Sequence, residues 1–205
     1  MQTNVNATRM ELLQLRRRVA LATRGHHLLS EKRDEISRQL IKIAKEIQPL
    51  RQKVEEQLRE TFRRFMLARG SMEPEDIKAA LETPTKKFSL VIKLASVMNV
   101  RVPELAKQIE GDIICYGFAT TSGELDVALL SLEKAFDALL ELAAKEKQAA
   151  LLGMELQMTR RRVNVLEYIV IPEMQEKIKY IYAKLGEAER DNTTRLMKIA
   201  DLIRK

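Results

Sequence analysis

Few side chains in this sequence could do chemistry together. Histidine occurs twice, as the neighbours His26 and His27, and cysteine once, at Cys115. Adjacent helical residues point about 100° apart, so the two imidazoles do not easily grip one metal ion. One cysteine gives neither the usual zinc spacing nor an intrachain disulfide. No GxxxxGK(S/T) or GxGxxG segment is present to cradle a phosphate. Most Asp and Glu residues flank apolar positions at helical spacing, which marks them as solvated helix faces rather than acid–base pairs. No catalytic residue, metal ligand or cofactor is therefore assigned. Charge remains: Arg16-Arg17-Arg18 and Arg160-Arg161-Arg162 each spread around most of a helix as a positive collar, the kind of surface that meets an acidic partner.

The elements that carry these collars follow from composition. The chain has 7 Gly, 5 Pro, 4% aromatic residues and no Trp, a composition of long helices rather than of a thick globular core. Residues 1–69 hold 16 Lys/Arg against 8 Asp/Glu, whereas 70–123 hold 6 against 7 and 124–205 hold 14 against 14. The basic excess thus belongs to the first third. The start, MQTNVNATRM, has no apolar signal region. No apolar run approaches the roughly 18–20 residues of a membrane-spanning helix. A cytoplasmic protein without direct membrane insertion is the expectation.

Apolar residues at Leu12, Leu15, Val19, Ala22, Leu29, Ile36, Leu40, Ile43, Ile47, Leu50 and Val54, with His26 and Arg33 in the gaps, alternate steps of three and four. This is a heptad seam, and it runs on through Leu58, Phe62 and Phe65. His26 then reads as a polar register-setter, with pH sensing as the alternative. A second seam runs through Leu125, Leu129, Leu132, Phe136, Leu139 and Ala143. It resumes at Leu152, Leu156, Thr159, Val163, Leu166, Val170, Met174, Ile178, Ile181, Leu185, Ala188, Ile199 and Ile203. The strand-like run Tyr168-Ile169-Val170-Ile171 lies within this spacing and is therefore predicted helical, with Pro172 kinking the helix.

The expected fold is mainly α: a long antiparallel two-helix coiled coil with a small α/β insert of a short helix and a β-hairpin. Arms at 1–69 and 124–205 flank an insert at 70–123. Antiparallel pairing sets Pro172 opposite Val19–Gly25 and Pro49, a second kink, opposite Glu141–Ala150, both rich in small residues. It also sets Arg160, Arg161 and Arg162 opposite Glu31, Asp34 and Glu35, as a lock on the register. In the insert, a short helix ends at Pro84. Ser89–Ile92, Val97–Val102 (stopped by Pro103) and Asp112–Ala119 are β-like runs. Ser122 is a plausible start for the last helix.

The segments Asn4–Ile36 and TRRRVNVLEYIVIP resemble the D subunit of the V-type and A-type rotary ATPases. The resemblance rests on Thr8-Arg9-Met10, Arg24-Gly25-His26, Leu28-Leu29, Lys32-Arg33-Asp34 and the block Thr159–Pro172, in that order. Ala7 stands where that family usually has proline, and His27 and Ser30 where lysines are common. Both arms are covered; the insert matches loosely, mainly in the β-like runs ending at Val102-Pro103.

The resemblance implies a non-catalytic central rotor shaft, peripheral to the membrane. Its paired termini would lie within a ring of catalytic and nucleotide-binding subunits, contacting it through Arg16, Arg17, Arg18, Arg190 and Arg195. The insert would hold a small companion stalk subunit through Val91, Val100, Ile114 and Tyr116, and seat on a funnel-shaped subunit above the membrane ring. Two rival expectations are a coiled-coil adaptor or tether and a basic nucleic-acid-binding arm. The second lacks basic residues interleaved with aromatic stacking platforms.

Overall fold

The computed structural model describes residues 6–82, 85–117 and 121–204. In chain order the elements are α1 (Arg9–Ser71), α2 (Pro74–Glu82), β1 (Lys87–Val97), β2 (Val100–Glu110), α3 (Gly123–Val165), a π-turn (Leu166–Val170) and α4 (Ile171–Ile203). This is the expected antiparallel coiled coil with a small α/β insert. Helix starts are set locally. The Thr8 hydroxyl accepts from the Glu11 N–H at 3.2 Å, with Glu11 at the acidic position of a capping box. Ser122 does the same for α3, accepting from the Glu124 N–H at 3.3 Å. Glu124 and Asp126 then complement the positive end of that helix.

Contacts divide the chain into two units, Met1–Glu35 with Leu156–Lys205, and Ile36–Glu155. In the first, Leu12 and Leu15 of α1 bury against Ile181 of α4, flanked by Met174, Ile178 and Leu185. Each such side chain contributes roughly 1.5–3 kcal/mol when fully buried. Arg9 meets Glu189 at 2.6 Å and His26 meets Glu167 at 3.6 Å, so the two segments run in opposite directions. Ala188, Ile199 and Ile203 do not join this seam: every described side chain from Glu187 onward is exposed. The reason is length. Helix α1 starts at Arg9 beside Glu189, and no helix is described opposite the residues beyond.

The block around Pro172 is helical, as its spacing predicts, but not uniformly α. At Leu166–Val170 the ladder widens, and the Ile171 N–H donates to the Leu166 carbonyl five residues back. A π-turn just ahead of a proline relieves the clash between the ring and the preceding turn. It also admits one extra residue. The seam takes three consecutive steps of four, Leu166–Val170–Met174–Ile178, and the wider turn keeps all four at least half-buried. Pro49, in contrast, lies inside α1 with no break in the helix assignment.

In the second unit Val54 of α1 packs with Ala138 and Leu142 of α3, bordered by Ile47, Leu50, Leu58 and Leu139. Two expectations change here. Phe62 is 62% exposed, and Thr61 takes the inward position instead. Its hydroxyl is satisfied by the Gln57 carbonyl at 2.8 Å, so a small polar residue can be buried where two helices approach closely. On α3 the inward positions are Ala128, Ala135, Ala138 and Leu142, not Leu132, Phe136 and Ala143. The larger side chains turn to the insert, where Phe136 meets Phe88 edge-to-face at 4.6 Å.

The insert is an eleven-pair antiparallel hairpin, Lys87↔Glu110 to Val97↔Val100, plus α2. Its two-residue turn has both Met98 (φ 52) and Asn99 (φ 67) left-handed, the geometry that matches strand twist. The sequence reading missed this turn inside Val97–Val102. Pro103 does not stop a strand: it pairs with Leu94 within β2. Counting outward from the closing pair, this is a non-hydrogen-bonded position, where a missing N–H costs nothing. Asp112–Gly117 is not strand but irregular chain, Phe118 and Ala119 lie outside the described residues, and so does Pro84. Gly111 (φ +88) is required, because a Cβ there would lie 2.7 Å from the Thr85 carbonyl oxygen. Lys86–Glu133 and Lys107–Asp137 ion pairs fasten the hairpin to α3. Phe65, Met72, Tyr116 and Leu129 surround buried Ala68, Ala80 and Leu125, joining α1, α2 and α3.

Two predictions follow from this packing. Ala135→Leu should cost about 1–3 kcal/mol in urea unfolding by overpacking the seam. Ala143→Leu, on the exposed face, should stay within about 0.5 kcal/mol. Tyr116 donates to Asp126 at 2.6 Å. Burial first, then that carboxylate, hold its phenol above the ordinary range. A raised folded-state pKa gives stability that is complete below about pH 10 and lost as pH rises further. Tyr116→Phe should therefore lose about 0.5–1.5 kcal/mol at neutral pH and show a shallower alkaline decline in melting temperature.

Candidate functional site

The seam decides where the arginines point. With Leu12 and Leu15 buried and Val19 half-buried, the intervening Arg16, Arg17 and Arg18 are left exposed. Thr159 and Val163 likewise leave Arg160, Arg161 and Arg162 outside. Among the described residues none of these six has an ion-pair partner, and neither has Arg190 or Arg195. Arg16 and Arg190 are brought together. With Arg9, Leu13, Tyr182 and Glu189 they line an open groove of about 490 Å³ within the first unit. Arg195 lies farther along α4, among exposed residues.

Two of the acids placed opposite Arg160–Arg162 have partners on their own helix instead. Glu31 lies 3.4 Å from His27 and Asp34 2.7 Å from Arg33. Glu35 is also engaged. Elsewhere, ion pairs that cross between the arms include Arg9–Glu189, Arg51–Glu146 at 2.5 Å and Lys145–Glu46 at 2.7 Å, and His26 faces Glu167. The Lys145 hydrogen bond, and then its charge, hold the Glu46 carboxyl below its usual range. Glu146 similarly raises Arg51. Exposed pairs of this kind contribute roughly 0–1 kcal/mol each, so they favour a register more than they stabilise it.

In the insert, Val91, Val100, Ile114 and Tyr116 are all half-buried, and Tyr116 spends its hydroxyl on Asp126. The more open apolar side chains are Leu90, Ile92 and Leu94, at 40%, 60% and 65% exposure. The sequence reading passed over them, although Phe88, Leu90, Ile92 and Leu94 alternate as one face of a strand should. Cys115 is exposed, and its sulfur accepts from the Thr85 N–H at 3.4 Å, which lowers the thiol pKa. Among the described residues no cluster of His, Cys, Asp and Glu could hold a metal ion, and no helix is long and apolar enough to cross a membrane. The geometry offers exposed cations and apolar strips for partners, with no assembled chemistry.

Comparison with known proteins gives these surfaces a context. A family model for the D subunit of ATP synthase matches residues 11–201. A protein of Acetivibrio thermocellus, named as the D subunit of a V-type ATP synthase, is 47% identical over 203 residues, covering 97% of this chain and 91% of that one. Proteins of the same name from Fusobacterium nucleatum (44% identical; 98% and 97% covered) and Clostridium botulinum (45%; 99% and 96%) match as fully. The match spans both arms and the insert, and the chain belongs to the D-subunit family of ATP synthases.

Proposed function

We propose that this protein is the non-catalytic central shaft of a V-type rotary ATPase, coupling ATP hydrolysis or synthesis in a surrounding ring to ion transport across the membrane. The observation that carries this is the family match across residues 11–201, on a chain whose long paired helices bury one strip and leave the two arginine collars exposed. Catalysis would belong to the ring. A shaft contributes by presenting different faces to the subunits around it, so that equivalent sites differ and its rotation carries torque.

In this proposal Arg16, Arg17, Arg18, Arg190 and Arg195 meet acidic surfaces of the catalytic and nucleotide-binding subunits. Arg160, Arg161 and Arg162, free of internal partners among the described residues, join them. Charge complementarity of this sort speeds docking and fixes orientation, and it weakens with salt. Val91, Val100, Ile114 and the neighbouring Leu90, Ile92 and Leu94 face the companion stalk subunit; Tyr116 acts indirectly, by holding the segment that carries Ile114. The insert end seats on the funnel-shaped subunit of the membrane ring. Pro49 inside α1 and the wide turn ahead of Pro172 would make the faces of their helices unequal. Among the described residues no helix is long and apolar enough to cross the membrane itself.

The test is a mild-detergent pull-down of the tagged chain from native membranes, with an ATPase assay on the product. Ring subunits should co-purify. Changing Arg16, Arg17 and Arg18 to Glu should reduce their recovery about tenfold or more while circular dichroism stays unchanged; full assembly and turnover in that variant would refute the contact role. Pro172→Ala returns an N–H to α4 and removes the reason for the wide turn. It should uncouple hydrolysis from ion transport, and intact coupling would reduce the proline to a structural role.

A further inference from the structure

We propose that His26 and Glu167 form a protonation-dependent clip that holds the π-turn of Leu166–Val170 against α1. Three features of the first unit meet here. The π-turn is the one non-α turn described in the long arms, and it is followed by Pro172, which donates no backbone hydrogen bond to it. Glu167 lies inside that turn, and its carboxylate is 3.6 Å from His26 Nε2 across the helix pair. The same His26 Nε2 is buried with no hydrogen-bond partner. At 3.6 Å the contact is too long for a hydrogen bond. Its strength is therefore Coulombic, and it exists only while the imidazole carries its proton.

The turn has something to hold. Tightening it to an α-turn would rotate everything from Ile171 onward by about 100° relative to α3. Met174, Ile178, Ile181 and Leu185 would leave Leu12 and Leu15, so the packed seam favours the π form. Glu167 moves with the turn, because it sits within the wide segment itself. A charged His26 adds to the seam. A neutral His26 withdraws that support and leaves a buried nitrogen unsatisfied.

The charges around the pair are few. On α1 the adjacent His27 pairs with Glu31 at 3.4 Å, and Arg24 is exposed. On the facing segment, Tyr168 is 71% exposed, Arg162 is exposed, and Glu173 is paired with Lys177 at 2.6 Å. Glu167 is the carboxylate that faces His26. Acidification that protonates the imidazole engages the clip, and loss of that proton releases it. His26 is thereby more than a polar residue at a seam position, and Glu167 more than a solvated acid. The proposal stands on the geometry of this unit and not on the shaft assignment.

The experiment is amide hydrogen exchange on the intact chain at about pH 5.5 and about pH 8, with each rate divided by its intrinsic rate. Wild type should open at Glu167–Glu173 about fivefold less often at the lower pH, the size of an effect near 1 kcal/mol. His26→Gln and Glu167→Gln should each erase that contrast. His26→Lys, a permanent cation, should protect the turn at both pH values. His27→Gln should leave the contrast intact. No contrast in wild type overturns the clip, as does a contrast that persists in both Gln variants or one that disappears in His27→Gln. Should His26→Gln fold poorly, the half-exposed Glu167→Gln reads the same interaction from its other end.

Discussion

Two helices that have only each other for neighbours can bury one strip apiece, and the width of that strip governs this chain. A side chain on the strip is enclosed by four from the facing helix; one residue to either side it is in water. Among the described residues the fully buried positions are consequently few: Ala68 and Ala135, with the larger Ile36, Leu125, Leu152, Ile181, Val163 and Thr159. Alanine at Ala128, Ala135 and Ala138 lets α3 lie close to its partner and keeps packing at interior density. The larger Leu132 and Phe136, one position round the helix, are left to anchor the hairpin.

The same strip accounts for the irregularity near Pro172. A proline inside a lone helix would bend it and let the pairing drift. Here the packed seam on both sides outweighs the local preference, and the helix absorbs the misfit as one wide turn. The cost is a missing hydrogen bond. That makes the π-turn the place where a single ionic contact, His26–Glu167, can matter more than such contacts usually do.

Parts of the outward faces are left with no ion pair among the described residues. Among the described residues, the arginines of both collars, which could have paired across the helices, are unpaired. Arg51–Glu146 and Lys145–Glu46 meanwhile link the arms where the seam is made of alanine and leucine. The proposed shaft role gives those collar cations a setting, since a subunit enclosed by others would need stability along one strip and recognition around the rest.

The sequence by itself determined the helical arms, their opposite directions, the start at Ser122, and the helical state of Thr159–Pro172. These follow from steps of three and four over many residues and from local hydrogen bonds, which need no distant partner. It also placed the arginine collars, because positions between seam residues point outward. Tertiary structure alone decided which of two adjacent apolar residues turns inward: Thr61 over Phe62, Ala135 over Phe136. Size, closeness of approach and the competing demand of the hairpin settle that choice, and none of them is local. It also decided that Glu31 and Asp34 pair along α1 rather than with Arg160–Arg162. The π-turn lay between the two. Its signature, three successive steps of four from Leu166 to Ile178, stands in the sequence. But an extra residue in a seam can be taken up by a wide turn or by a shift of register, and only the facing helix selects between them.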